Sequence, residues 1–246
     1  MPPPIVVKNL TFKYPSVRSN FEALMPRRSK VLSESFALNN LSFQINRTER
    51  VALIGENGSG KTTLLKILAR IYYPQKGLCN IEGKIMTLFN VGLGSRHELS
   101  GIENIKLQCL MSDIPSKEIP SYIKKVVEFS ELSHVINDPM KTYSAGMSMR
   151  LQFAIATTLS PEILLLDEWI GAGDKAFHDK ATARLNKFIA SSSTFILASH
   201  NVHIVKKYCT RAICLKDGKI VQDGDCLLYT SPSPRDQRGS RMPSSA

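Results

Sequence analysis

GENGSGKT, residues 55–62, decides how the rest of the chain is read. It fits the pattern G-x-x-x-x-G-K-[ST]. It follows a short apolar run, RVALIG at 50–55, and opens a helical stretch, TTLLKILARIYY, that runs up to Pro74. Strand, glycine-rich turn and helix in that order are the context a phosphate-binding loop demands. Gly55, Gly58 and Gly60 let the backbone curl so that successive N–H groups point inward at phosphate oxygens. The helix beginning near Gly60 adds its positive dipole end. In such a loop Lys61 reaches the β- and γ-phosphates and the Thr62 hydroxyl coordinates Mg2+.

Three further segments fall into place around this loop. ILLLDE at 163–168 is an apolar strand delivering Asp167 to the Mg2+ side, with Glu168 one residue beyond to orient and deprotonate an attacking water. YSAGM at 143–147 precedes a long helix, so the Ser144 hydroxyl, the amides around Gly146 and the helix N-terminus form a second anion site. TFILASH at 194–200 ends in His200, which beside a γ-phosphate would contact it and report its loss.

Composition sets bounds. The chain has 246 residues, 43% of them apolar, enough for one large domain or two small ones with a real core. No run approaches the length of a membrane span. The start, MPPPIVVKNL, lacks the basic-then-apolar layout of a signal peptide, which predicts a chain kept in the cytosol. The five cysteines show no zinc spacing and are expected as unpaired thiols. A net charge of +11 points to an anionic partner: nucleotide, nucleic acid or lipid surface. Clusters such as Arg27-Arg28 and Lys206-Lys207 are by default solvated faces.

The organisation is α/β. Residues 5–12 and 37–45 alternate as strands of an antiparallel sheet, with an inserted segment over 15–35 between them. CNIEGKIMTLF, 79–89, has the look of a hairpin with Gly83 in its turn. From about 95 to 160 the pattern turns helical. Strand–helix alternation then returns through 163–168, 174–190, 194–200 and RAICLKDGKIVQDG.

The four elements, in this order, resemble the ATP-binding cassette family across residues 5–225, and YSAGM, WIGAGD and the 15–35 insert are similar to its polysaccharide-exporting subgroup (O-antigen, capsule, teichoic acid). The resemblance implies a P-loop NTPase cassette, residues 1–225, with a RecA-like core, an antiparallel β subdomain and a helical subdomain. It implies ATP and Mg2+ as ligands. Gly55, Glu56, Asn57, Gly58, Ser59, Gly60, Lys61, Thr62 and Thr63 would hold the nucleotide, and Thr62 and Asp167 the metal. Glu168, His200 and Lys61 would be catalytic. Two copies would close head to tail, with Tyr143, Ser144, Ala145, Gly146 and Met147 completing the partner copy's site and Asp174 crossing the same interface. Tyr14 would stack on adenine, with Phe12 as its rival. Hydrolysis would drive a separate membrane permease, exporting the polymer from the cytoplasmic face, with no nucleic acid involved. The family's usual Gln after the hairpin region is missing: none occurs between Gln75 and Gln108, and Asn90 is its nearest substitute. A non-transport cassette ATPase acting on nucleic acid is the alternative. Its chromosome-type form needs a coiled-coil insert, for which the 83 residues from Lys61 to Ser144 leave no room.

The last residues read differently. CLLYTSPSPRDQRGSRMPSSA, 226–246, shows no periodicity, and its reverse translation matches a transposase-type sequencing adapter with an eight-base index gap after Asp236. On that reading 226–246 is a translated library scar, and residue 225 is open between Asp and Glu. Setting it aside removes three arginines and one aspartate and leaves a charge of +9, so the basic character survives.

Overall fold

The computed structural model describes residues 2–14, 36–88, 95–159, 161–168 and 175–227, which fall into two units: residues up to Gly83 together with those from Thr194 onward, and Lys84–Ser193.

The first unit contains two sheets. β1 (Ile5–Phe12) pairs antiparallel with β2 (Leu38–Ile45) on one side and with β4 (Lys76–Ile81) on the other. In β1 the inward residues change parity, from Ile5 and Val7 to Leu10 and Phe12, all four buried. Only an extra residue can do that. It is supplied at Lys8-Asn9, where the register shifts, Asn9 takes φ +50, and its N–H donates to Ser42 Oγ at 2.8 Å. The second sheet has β3 (Arg50–Ile54) between β7 (Thr194–Ala198) and β8 (Arg211–Lys216), both parallel to it. β9 (Lys219–Asp225) returns antiparallel to β8 through Asp217-Gly218, at φ +49 and +70. β3 and β7 are continuous apolar runs because parallel strands of this kind are covered on both faces. α1 (Lys61–Leu68) and α6 (Val202–Tyr208) belong to the same unit; Asn201 caps α6 by accepting from His203 N–H and Ile204 N–H.

The second unit pairs β5 (Ile85–Thr87) in parallel with β6 (Ile163–Asp167) and adds α2 (Gly101–Met111), α3 (Ile119–Ser130), α4 (Ala145–Thr158) and α5 (Lys175–Ser191). Ser100 and Glu103 close a capping box on α2. The Tyr122 hydroxyl of α3 donates to Ile155 O of α4 at 2.6 Å, a buried bond. That pairing, together with the aliphatic interior around Val126 and Leu151, holds the helices together.

Three sequence expectations are corrected here. The helix after the phosphate loop stops at Leu68 and does not reach Tyr73. Arg70 turns left-handed, φ +59, Ile71 N–H bonds Lys66 O and Arg70 N–H bonds Ile67 O, a Schellman closure with arginine where glycine is usual. The Arg70 guanidinium pins that turn by donating to Ile81 O at 2.6 Å, a contact with no local signature. Residues 79–89 are not a hairpin. β4 pairs with β1 and β5 pairs with β6, while Gly83, φ +120, turns the chain from one partner to the other. Alternation says that a segment is a strand, and nothing about which strand it joins. The adapter reading of 226–246 is not borne out. Cys226 is 2% exposed; its N–H donates to Thr210 O and its thiol to Cys209 O, both at 3.0 Å. Residues 228–246 lie outside the described residues. All five cysteines are free thiols, and no helix among the described residues is long and apolar enough to cross a membrane.

Candidate functional site

Gly55, Gly58 and Gly60 sit at φ +149, +81 and +106, backbone that side chains rarely adopt. Two of the three are also sterically obligatory. A Cβ on Gly55 would meet Leu215 O at 2.2 Å, and one on Gly60 would meet Ala37 O and Leu38 Cδ2 at 2.7 Å. The loop therefore curls because it is pressed between β8 and the start of β2. Gly218, at the β8–β9 turn, completes the brace: its N–H donates to Ser59 O at 3.2 Å and its O accepts from Asn39 N–H at 2.7 Å. Sequence reading did not single out this turn. Nothing local in Asp217-Gly218 says that the tip of this turn carries the phosphate loop.

Lys61 opens α1 and is 9% exposed. Its ammonium donates to Gly55 O at 2.7 Å and Glu56 O at 2.9 Å, so the side chain arches back over its own loop. Two neutral carbonyls take two of its three donors without balancing its charge. A phosphate oxygen offers both. Ser59 Oγ is buried in the same loop with no hydrogen-bond partner among the described residues, a polar atom that the fold alone leaves unsatisfied. Thr62 is exposed beside Lys61, while Thr63 is turned inward.

Both aromatic candidates lie within the same unit. Phe12 is 6% exposed and its ring stacks on Tyr72, interplanar angle 10° and centroids 5.4 Å apart, so its face is taken. Tyr14 is 49% exposed, its ring plane is near-perpendicular to those of Phe12 and Tyr72, and its hydroxyl lies 2.9 Å from Thr63 Oγ1 on α1. Of the two candidates it is the more exposed. His200, also in this unit, is exposed at the end of β7, two residues beyond Ala198. Ser199 behind it is buried and its Oγ accepts from Asn201 N–H at 3.1 Å, which shapes the exit from the strand.

In the second unit Asp167 ends β6, half-buried, and Glu168 follows, exposed, with φ +63. A glutamate in left-handed backbone is uncommon and persists where its surroundings hold it. The Ser144 Oγ accepts from Met147 N–H at 3.1 Å and caps α4. Ala145, Gly146 and Met147 form the first turn of that helix. Among the described residues, a Cβ on Gly146 would meet only Ser144 Oγ, at 3.9 Å, so none of them requires a glycine there. Tyr143 is different. It is buried, its hydroxyl donates to Val135 O at 2.7 Å, and burial pushes its pKa up, so it anchors the loop. Asp174 and Asn90 lie outside the described residues.

Residues 38–171 match the family described as ABC transporter. The chain is 39% identical over 237 residues to the O-antigen export system ATP-binding protein RfbE of Yersinia enterocolitica, covering 91% of this chain and 99% of that protein. It is 38% identical over 190 residues to the teichoic acids export ATP-binding protein TagH of Bacillus cereus, covering 77% of this chain but only 34% of TagH. The dimeric ATP-binding cassette MJ0796, in a post-hydrolysis state bound to ADP and Pi, superposes with a TM-score of 0.67 at 22% identity, over 90% of this chain and 98% of that one; this likeness speaks for the fold. With more than half of the chain inside the family match, and RfbE aligned along almost its whole length, the chain belongs to the ABC transporter family.

Proposed function

We propose that the chain is the ATP-hydrolysing subunit of a transporter that exports a cell-surface polysaccharide or its lipid-linked precursor across the cytoplasmic membrane. The observation that carries this is the 39% identity to RfbE along 99% of that protein. The names of the relatives favour export over the nucleic-acid alternative.

The chemistry assigned to the residues is as follows. The backbone N–H groups of 55–63 cradle the phosphates of ATP, and Lys61 gives up its loop carbonyls for phosphate oxygens. Tyr14 stacks on adenine. Thr62 and Asp167 are hard oxygen donors of the kind Mg2+ takes, and together with the phosphates they would hold it. Bound there, Mg2+ would neutralise charge on the β- and γ-oxygens. Glu168 orients the attacking water and accepts its proton, and His200 contacts the γ-phosphate. Tyr143, Ser144, Ala145, Gly146 and Met147 present the N-terminus of α4 to the nucleotide held by a second copy, and Asp174 crosses the same interface. Gly146 supports this, because its missing side chain is not explained by what the chain packs against it. ATP closes the head-to-tail dimer, hydrolysis reopens it, and a separate integral membrane permease at the cytoplasmic face turns that motion into export.

The test is ATP turnover by the full chain reconstituted with its membrane partner, wild type beside Glu168→Gln. The variant should bind ATP normally, accumulate as a closed dimer and lose at least about 100-fold in turnover, the lower end of what a general base contributes. Turnover near wild type would remove Glu168 from the mechanism.

A further inference from the structure

Residues 70–75 do more than end α1. Arg70 turns the chain, Tyr72 N–H bonds Lys66 O at 3.2 Å, and Gln75 N–H reaches back to Thr11 O at 3.1 Å. Thr11 and Lys76 are the last partners in register between β1 and β4. The Gln75 side chain carries the pairing on to Lys13. Its Oε1 accepts from Lys13 N–H at 2.7 Å and its Nε2 donates to Lys13 O at 2.6 Å, the exchange of two bonds that a residue of a facing antiparallel strand would make with its backbone.

Stability explains this pair of bonds poorly. Gln75 is exposed and so are both bonds, where water competes for the same groups and little is added to folding. Placement explains it better. Lys13 O lies in the peptide plane that also contains the N and Cα of Tyr14, so the bond from Gln75 Nε2 fixes the plane from which the Tyr14 side chain springs. On the side of β2, Ala37 N–H holds Phe12 O at 3.0 Å. Tyr72, three residues before Gln75, sets its ring 5.8 Å from that of Tyr14. The Tyr14 hydroxyl lies beside Thr63 on the helix that this same segment closes.

We infer that Gln75 is a positioning residue for Tyr14. Its amide fixes the backbone ahead of the ring, so that ring and phosphate loop meet a nucleotide as one preorganised site. This rests on the stacking of Tyr14 on adenine proposed above.

The experiment is calorimetric titration of the full chain without Mg2+, with ATP and with tripolyphosphate, a probe that carries phosphates and no base. Gln75→Leu removes both bonds to Lys13. It should weaken ATP binding about three- to tenfold, less than loss of the whole stack, since the ring is loosened and not removed. Tripolyphosphate affinity should stay within about twofold, and the melting temperature within about 2 °C. In a Tyr14→Ala background the same substitution should have no further effect on ATP binding, the non-additivity of a residue that acts through the ring. Unchanged ATP affinity in Gln75→Leu, where Tyr14→Ala weakens it, overturns the inference alone. So does equal weakening for both ligands, a further full loss in the Tyr14→Ala background, or a larger fall in melting temperature, since each gives the glutamine a role apart from the ring. A Tyr14→Ala protein that binds ATP as tightly as wild type overturns the stacking reading and this inference with it.

Discussion

The Tyr14 hydroxyl lies 2.9 Å from Thr63 Oγ1, joining the end of β1 to the first turn of α1. The bond holds an aromatic ring at half exposure next to the phosphate loop, its plane near-perpendicular to those of Phe12 and Tyr72. Removing the ring should cost one base–aromatic stack, about 1–3 kcal/mol, so Tyr14→Ala should weaken ATP binding roughly 5- to 150-fold. Tyr14→Phe keeps the ring and loses the bond, and should fall between wild type and Tyr14→Ala. Titration with a fluorescent ATP analogue reads both. Equal losses in the two variants would assign the effect to the hydroxyl instead of the ring.

Two glycines separate folding from function. Gly60→Ala places a methyl 2.7 Å from Ala37 O at φ +106, which should cost about 1–3 kcal/mol and lower the melting temperature by several degrees. Among the described residues Gly146→Ala meets nothing closer than 3.9 Å, and it sits on a helix, where alanine is favoured by about 0.5–1 kcal/mol. Its melting temperature should hold or rise while ATP turnover drops tenfold or more. A Gly146→Ala protein that melts early would mean the glycine serves packing, contrary to the proposal.

Burial pushes the Cys209 thiol up to about 12; the neighbouring Cys226 adds to the rise and Arg50 opposes it. A raised pKa means that the folded state keeps its proton where the unfolded chain loses it, near 8.5. The thiol's contribution is therefore complete below pH 8.5 and falls as pH climbs towards 12, by up to about 1.4 kcal/mol per unit. Urea midpoints should drop from pH 8 to pH 10, and Cys209→Ala should show a smaller drop. An identical pH dependence in the two proteins would show that Cys209 ionises as freely in the fold as out of it.

Most strand positions were legible because their alternation or apolar continuity is a local property. β1, β2, β3, β6 and β7 lie within a residue or two of their expected ends. Asn201, Ser144 and Ser100 cap helices for equally local reasons. The misreadings share one physical cause. Where α1 stops depends on Arg70 reaching Ile81 O, and whether β4 and β5 pair with each other depends on β1 and β6 offering better edges. Both are decided by residues distant in sequence. Which of Phe12 and Tyr14 is buried was equally closed to composition and spacing, because it depends on Tyr72 stacking against Phe12.

The amino-acid sequence alone determined the phosphate loop, the carboxylate-ended strand and the order of the segments around them, because each is defined by residue types a few positions apart. Only the tertiary structure decided why the loop tolerates nothing larger than glycine at 55 and 60. That answer lies in Leu215 O and Ala37 O, backbone atoms brought against it from 160 residues downstream and 23 upstream. Backbone carbonyls carry no sequence signal. Their positions follow from strand pairing, and pairing is settled by the burial of the whole sheet.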